Sequence, residues 1–217
     1  MNLQLTPEQQ RINAAMLLTL WAQCAERPRV EAGDKTRQMK LAFLAALCAS
    51  KEKVSAYNLS FYGWTWGPMS NEVYASWGML EASGLVESEE EFVFTRAGLR
   101  LASEFYADVL GEEPNALVRE IVDGVANEWR PRPGARAILD HVYAVELPLA
   151  DNRTPIALRD VRKGIAVLDP VDHRTARATL HVSGGWRETL ALAMVPAATR
   201  DIELAIADYA AGRVHVA

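Results

Sequence analysis

Between Met39 and Cys48 the chain reads MKLAFLAALC, and Lys40 is its only polar residue. Alanine, leucine and methionine are strong helix formers, so the run predicts a helix that is apolar around almost its whole circumference. Such a helix has no face to offer to water and must be enclosed by other elements. It is expected to be the central, buried helix of a mostly α fold. Asp34 or Thr36 can cap its start, and the polar residues from Lys51 to Ser55 end it.

The neighbouring segments supply the enclosure. Thr6-Pro7-Glu8-Gln9 is a helix start, with a hydroxyl cap and proline at the first helical position. Ile12, Met16, Leu17, Leu20, Trp21 and Cys24 follow at helical spacing, with a stop expected near Arg27-Pro28. Gly67-Pro68 reads as a turn. Ser70 caps a helix with the stripe Val73, Trp77 and Leu80, ended by Ser83-Gly84. Leu85-Val86 and Phe92-Val93-Phe94 read as two short strands around an acidic turn within Glu87 to Glu91. Thr95 caps the next helix, with Leu99, Leu101, Phe105, Tyr106 and Val109 inward. Helix, helix, helix, hairpin, helix is the order of a winged helix.

Further helices are predicted from Pro114 to Trp129, from Ala135 to Val145 and from Ser183 to Met194. Pro148 to Pro155 reads as a loop, Ile156 to Pro170 shows no firm period, and Ala178 to Val182 suits a strand. Beyond Pro196, a helix restarting at Thr199 or Asp201 and a strand at Val214 to Val216 are expected. The expected class is mostly α: a winged-helix-like helical domain with a small β-hairpin over residues 1–130, and an α+β extension over 131–217.

The chain has 217 residues, half of them hydrophobic, enough for a sizeable core. No apolar run approaches the roughly 18 residues of a membrane span, and the start does not read as a secretory signal. A cytoplasmic protein with two buried, reduced thiols, Cys24 and Cys48, is the expectation; a disulfide between them depends on geometry.

Charge argues against the usual DNA face of a winged helix. From Ser70 through Thr95 there is no lysine or arginine, but there are Glu72, Glu81, Glu87, Glu89, Glu90 and Glu91. Duplex binding draws most of its affinity from neutralised phosphates. The cations gather later, as Arg130, Arg132 and Arg136, then Arg153, Arg159, Arg162, Lys163, Arg174 and Arg177. A solvated face is the first reading of them, an acidic partner surface the second, and nucleic acid the third.

No nucleophile–base pairing, zinc motif or glycine-rich phosphate loop is evident. Asp169, Asp172 and His173 could hold a metal but read better as a polar loop, and Ser183-Gly184-Gly185-Trp186 reads as a plain helix cap. No catalytic residue, cofactor or metal is expected.

Lys40-Leu41 and Phe43-Leu44 on the buried helix, the run FYGWTWGPMSNEVY, and Leu80 followed by Ser83-Gly84-Leu85-Val86 resemble the Panacea domain, an antitoxin-associated domain, and its phage-related relatives. The matching positions are Trp66, Gly67, Pro68, Val73 and Tyr74. Trp66 stands where tyrosine is common, and Met69 where valine or an aromatic residue is usual. The likeness runs from about Lys35 to Ala107. It implies a helical adaptor that neutralises a toxin by direct binding or acts as a regulatory partner, without catalysis.

Core packing accounts for most of the aromatic residues around Gly67-Pro68, by wrapping the helix end against the buried helix. The alternative leaves some of them outward as binding anchors, since Trp and Tyr are enriched at interface hot spots. The candidate partner-binding residues are Trp64, Trp66 and Tyr74, with Arg130, Arg132 and Arg136. The leading function is an antitoxin-like neutraliser or adaptor for a protein partner. A dimeric transcription regulator binding DNA through the basic Arg130 to Arg177 half is the alternative, and an enzyme is the third. Replacing Glu87, Glu89, Glu90 and Glu91 together with alanine should leave nonspecific duplex-DNA affinity unchanged or raised in a mobility-shift assay; a loss of binding would refute the charge argument.

Overall fold

The computed structural model describes residues 4–25, 34–87, 92–130, 135–148 and 155–195. The capping residues read from the sequence start the first two helices. Thr6 accepts from the Gln9 N–H at 3.2 Å while the Gln9 side chain accepts from the Thr6 N–H at 2.9 Å, a reciprocal box that opens α1 (Pro7–Cys24). Asp34 accepts from the Arg37 N–H at 2.6 Å and opens α2 (Lys35–Lys51). The stop expected near Arg27-Pro28 lies outside the described residues.

Every residue from Asn13 to Trp21 in α1 and from Gln38 to Leu47 in α2 is buried. The hub, however, is α1 rather than α2. It packs against α2 and against four later helices, named below as α3, α4, α5 and α7. The reason is in its sequence: no charged residue lies between Ile12 and Cys24, whereas α2 carries Lys40 in its middle and Lys35 and Arg37 at its start. Two polar side chains inside this core find backbone partners. Asn13 clasps the Asn58 backbone, accepting from its N–H at 3.0 Å and donating to its carbonyl at 2.9 Å. The Trp21 indole donates to the Gln38 carbonyl at 3.1 Å.

After α2 come two short strands, β1 (Val54–Ser55) and β2 (Phe61–Tyr62), and then α3 (Asn71–Ala82), capped by Ser70. The strands β3 (Val86–Glu87) and β4 (Val93–Phe94) pair antiparallel, Val86 with Phe94 and Glu87 with Val93. The residues that join them, 88–91, lie outside the described residues. Thr95 caps α4 (Arg96–Glu104), and its hydroxyl also donates to the Gly84 carbonyl at 2.8 Å, locking the hairpin to the helix. Gly98 permits this joint, since a Cβ there would lie 2.0 Å from the Leu85 carbonyl oxygen.

α4 runs into a π-helical turn, Phe105–Val109, where the sequence predicted a plain helix. The turn is closed by the Leu110 N–H donating to the Phe105 carbonyl, and Phe105, Val109 and Leu110 are all buried behind it. A 3₁₀ turn, Glu113–Asn115, leads into α5 (Ala116–Trp129).

The remaining elements are α6 (Ala135–Ala144), β5 (Glu146–Leu147), β6 (Ile156–Ala157), β7 (Ala166–Leu168), β8 (Ala178–Thr179) and α7 (Gly184–Ala193), the last capped by Ser183. β5 and β6 pair antiparallel, an unexpected hairpin. β8 pairs parallel to β1, and β7 pairs antiparallel to β2. α6 packs on α2 and α7 on α1. Contacts therefore cross residue 130 at several places. Asn115 makes another: its side chain accepts from the His181 N–H at 2.7 Å and donates to the carbonyls of His181 and Val109, each at 2.8 Å. The helix and strand expected beyond Pro196 lie outside the described residues.

The described residues thus form a mostly helical fold of seven α-helices with short paired strands. Among them no helix is long and apolar enough to cross a membrane.

Asn115→Ala leaves buried backbone groups without partners, a loss on the order of 2–4 kcal/mol. Thermal unfolding followed by circular dichroism is expected to show one transition, lowered by roughly 4–16 °C. Two separated transitions would show that the segments on either side of residue 130 melt independently.

Candidate functional site

The aromatic run FYGWTW forms the rising arm and tip of a further hairpin, between α2 and α3. Tyr62 and Met69 exchange backbone bonds of 3.0 Å in both directions, and Trp64 and Gly67 do the same at 3.1 and 3.2 Å. The chain reverses over Thr65 and Trp66, and Gly67 sits at φ 82°, in the left-handed region that a side chain disfavours. The turn thus precedes Pro68, one step earlier than the Gly67-Pro68 turn read from the sequence.

This geometry separates the aromatic residues into two sets. Phe61 is buried and meets Phe43 of α2 edge to face at 5.3 Å, and Trp77 is buried against Trp21. Trp64, Trp66 and Tyr74 are exposed at 45%, 68% and 46%. Core packing therefore explains Phe61 and Trp77 but not the three candidate anchors. A two-residue alternation from Phe61 places Gly63 and Thr65 on the inner side and leaves Trp64 and Trp66 outside; burial of Gly63 and exposure of both tryptophans agree with it as far as the turn. Tyr62, half-buried, adjoins this set: its ring meets Trp64 at 6.2 Å, and its hydroxyl donates to the Asn71 side chain at 2.9 Å, one turn of α3 before Tyr74.

The base of the hairpin is held from three sides. Lys40 of α2, only 2% exposed, donates from Nζ to the Pro68 carbonyl at 2.8 Å. Burial pushes its ammonium pKa down to about 8. Glu72, 8% exposed, accepts from the hydroxyls of Ser70 (2.8 Å) and Ser60 (3.3 Å), which tie the two ends of the hairpin to the first turn of α3. On the third side the Gly63 N–H donates to the Ile165 carbonyl at 2.8 Å and its carbonyl accepts from the Gly164 N–H at 2.9 Å. Lys163 on that loop stands over the Trp64 ring at 5.5 Å.

Of the basic candidates, Arg130 is engaged at a helix end. The Arg130 guanidinium donates from Nε to the Gln23 carbonyl at 2.8 Å, at the last turn of α1. Arg37 donates to the Trp129 carbonyl at 3.0 Å, at the last turn of α5. Both cations satisfy carbonyls that a helix C-terminus leaves open and favour the negative end of its dipole. Arg136 is exposed on α6, and Arg132 lies outside the described residues.

The other polar candidates have local explanations. Asp172 is bound by Arg174 through its side chain and N–H, and that hydrogen bonding pulls its carboxyl down to about 2. It lines a shallow crevice of about 390 Å3 with Gln9, Asn58 and His173. Among the described residues no group of His, Cys, Asp and Glu could hold a metal ion. Ser183 accepts from the Trp186 N–H as an ordinary cap. Cys24 and Cys48 are both free thiols, and burial pushes Cys24 up to about 12.

No protein-family model matches this chain, and neither the curated proteins nor the solved structures contain a significant match.

The buried Lys40 gives the stability a signed pH dependence. Between pH 8 and 10.5 the unfolded lysine holds a proton that the folded one has released, so stability rises with pH from this source. Cys24 acts oppositely above its ordinary pKa of 9.0, because the folded thiol keeps its proton. Urea unfolding of the parent is expected to show stability climbing from pH 8 to 9 and then flattening. Lys40→Met removes the climb, and the parent-minus-variant difference grows by up to about 3 kcal/mol across the lysine window. A pH-independent difference would show that Lys40 titrates normally.

Proposed function

We propose that this chain is a non-catalytic interaction module with a winged-helix-like core, an antitoxin-like neutraliser or regulatory adaptor that binds a protein partner through the hairpin around Trp64 and Trp66. The observation that carries the reading is the display of Trp64 and Trp66 on a hairpin whose base is locked to the core, with Tyr74 exposed on the α3 helix that follows it. Tryptophan and tyrosine are the residues most often found to dominate interface energy. A clustered set of them facing water marks an interaction site more readily than scattered apolar residues do.

The order α1, α2, α3, β3–β4 hairpin, α4 supports the winged-helix-like description. The bond from Lys40 to the Pro68 carbonyl supports the likeness to the Panacea domain, because it joins the two parts of that likeness, the lysine-leucine helix and the Gly-Pro turn. DNA binding through the basic half draws less support. Arg130 is engaged at a helix end, Arg174 with Asp172, Arg177 with Glu52 and Arg187 with Glu8.

Trp66→Ala should shift the melting temperature by less than about 2 °C, since an exposed substitution usually changes stability by under about 0.5 kcal/mol. It should weaken retention of the native partner from the source-cell extract by about thirtyfold or more. Trp77→Ala, a core change, should instead lower the melting temperature. A Trp66→Ala protein that keeps its partner unchanged refutes the hairpin as the anchor. A parent protein that retains no partner and turns over a small molecule refutes the adaptor reading.

A further inference from the structure

The chemistry of the partner is written beside the aromatic tip. The hairpin from Phe61 to Ser70 contains no charged residue. The segment that wraps its Gly63, from Leu158 to Ile165, contains Arg159, Arg162 and Lys163 against the single carboxylate Asp160. All four are exposed. Among the described residues the three cations form no ion pair, in contrast to Arg174, Arg177 and Arg187. Ile165 adds an apolar side chain, 44% exposed, next to Lys163. The Lys163 ammonium over the Trp64 ring places a cation and an aromatic face within one contact area. The nearby Glu72 does not compensate these charges, because it is turned into the base of the hairpin on Ser60 and Ser70.

We propose that this surface takes an acidic protein segment with interspersed apolar side chains, its carboxylates on Arg162 and Lys163 and its apolar groups on Trp64, Trp66 and Ile165. The inference rests on the proposed interaction role and adds the chemistry of the partner. Complementary charge sets register and selects against wrong partners, and buried aromatic contact supplies affinity. Exposed rings beside cations also suit a single-stranded nucleic acid, so that ligand is an outcome of the test. The carboxylate-bearing segment is favoured because Lys163 already stands over the Trp64 ring on which a base would stack, and Ile165 offers an aliphatic contact rather than a stacking face.

The test uses the full chain and three fluorescent probes: a short synthetic peptide alternating glutamate with leucine, the same peptide with lysine in place of glutamate, and an oligothymidylate of similar length. Fluorescence anisotropy is expected to show binding of the glutamate peptide at least about tenfold tighter than either other probe. The double variant Arg162→Glu/Lys163→Glu should lose about tenfold or more for the glutamate peptide and gain affinity for the lysine peptide. Equal binding of both peptides, tighter binding of thymidylate, or no binding of the glutamate peptide overturns the inference. Retention of the native partner separates this failure from a failure of the interaction role. If Trp66→Ala loses the partner while the charge-reversed protein keeps it, the hairpin binds proteins but not through acidity. If Trp66→Ala also keeps it, the hairpin role itself is wrong.

Discussion

Enclosing α1 is the constraint that the rest of the fold answers. A helix buried at every position from Asn13 to Trp21 leaves no side for solvent, so neighbours must arrive from all directions. α3, α4 and α5 supply three of them from the middle of the chain, and α7 supplies another from beyond residue 180. The last contact explains why the C-terminal part returns. Without Leu190 and Met194, both buried, part of the α1 circumference would face water. Burial of a leucine-sized side chain contributes about 1.5–3 kcal/mol, which offsets part of what closing the connecting segments costs. Small side chains at Ala14 and Ala15 allow neighbours to approach closely.

α2 solves a different problem. It is nearly as buried, yet it carries a lysine. A buried ammonium needs an acceptor, and the acceptor is the carbonyl of Pro68, whose own nitrogen can donate nothing. One bond therefore serves two ends: it makes Lys40 tolerable in the core and fixes the chain that leaves the hairpin tip. The Gly67 backbone also lies against Tyr143, where a Cβ would lie 3.1 Å from that ring. The tip is thus braced by α2, by α6 and by the loop around Lys163. Its shape derives from those contacts rather than from the strands, which are two or three residues long.

Local chemistry was easier to read than partnership. Thr6, Asp34, Ser70, Thr95 and Ser183 all cap helices, because a cap is decided within four residues. The hairpin after α3 was legible for the same reason. The pairings of β1 with β8 and β2 with β7 were not: each strand is too short for an alternation to register, and each partner lies more than a hundred residues away. The site was half legible. Tryptophan content marked the region, but composition does not say which way a ring points. The alternation Phe61, Gly63 inward and Tyr62, Trp64 outward was available in the sequence as a signal, and the glycine within it obscured it. Arg130 is a related case. A charge count sees a cation, whereas the structure finds a guanidinium already bonded to the Gln23 carbonyl.

The contrast between the two hairpins bears on function. The one that follows α3 ends in the acidic run after Glu87, and a winged helix would ordinarily present that element to DNA. The one that precedes α3 carries the exposed aromatic residues and lies beside Arg162 and Lys163. Charge and apolar surface are thus divided between two elements flanking the same helix. A partner that approached the acidic element would be selected for cations, and one that approached the aromatic element for carboxylates and apolar groups. Affinity favours the aromatic side. Its backbone is already ordered by Lys40, Glu72 and Gly63, so binding does not incur the cost of ordering a loop, and the freedom lost is that of side chains. A tryptophan has two side-chain torsions to restrict over a large contact area. Two of them on a braced turn give more contact per ordered torsion than long flexible arginines on a solvated face. That asymmetry, rather than the number of aromatic residues, is what favours the proposed site at Trp64 and Trp66.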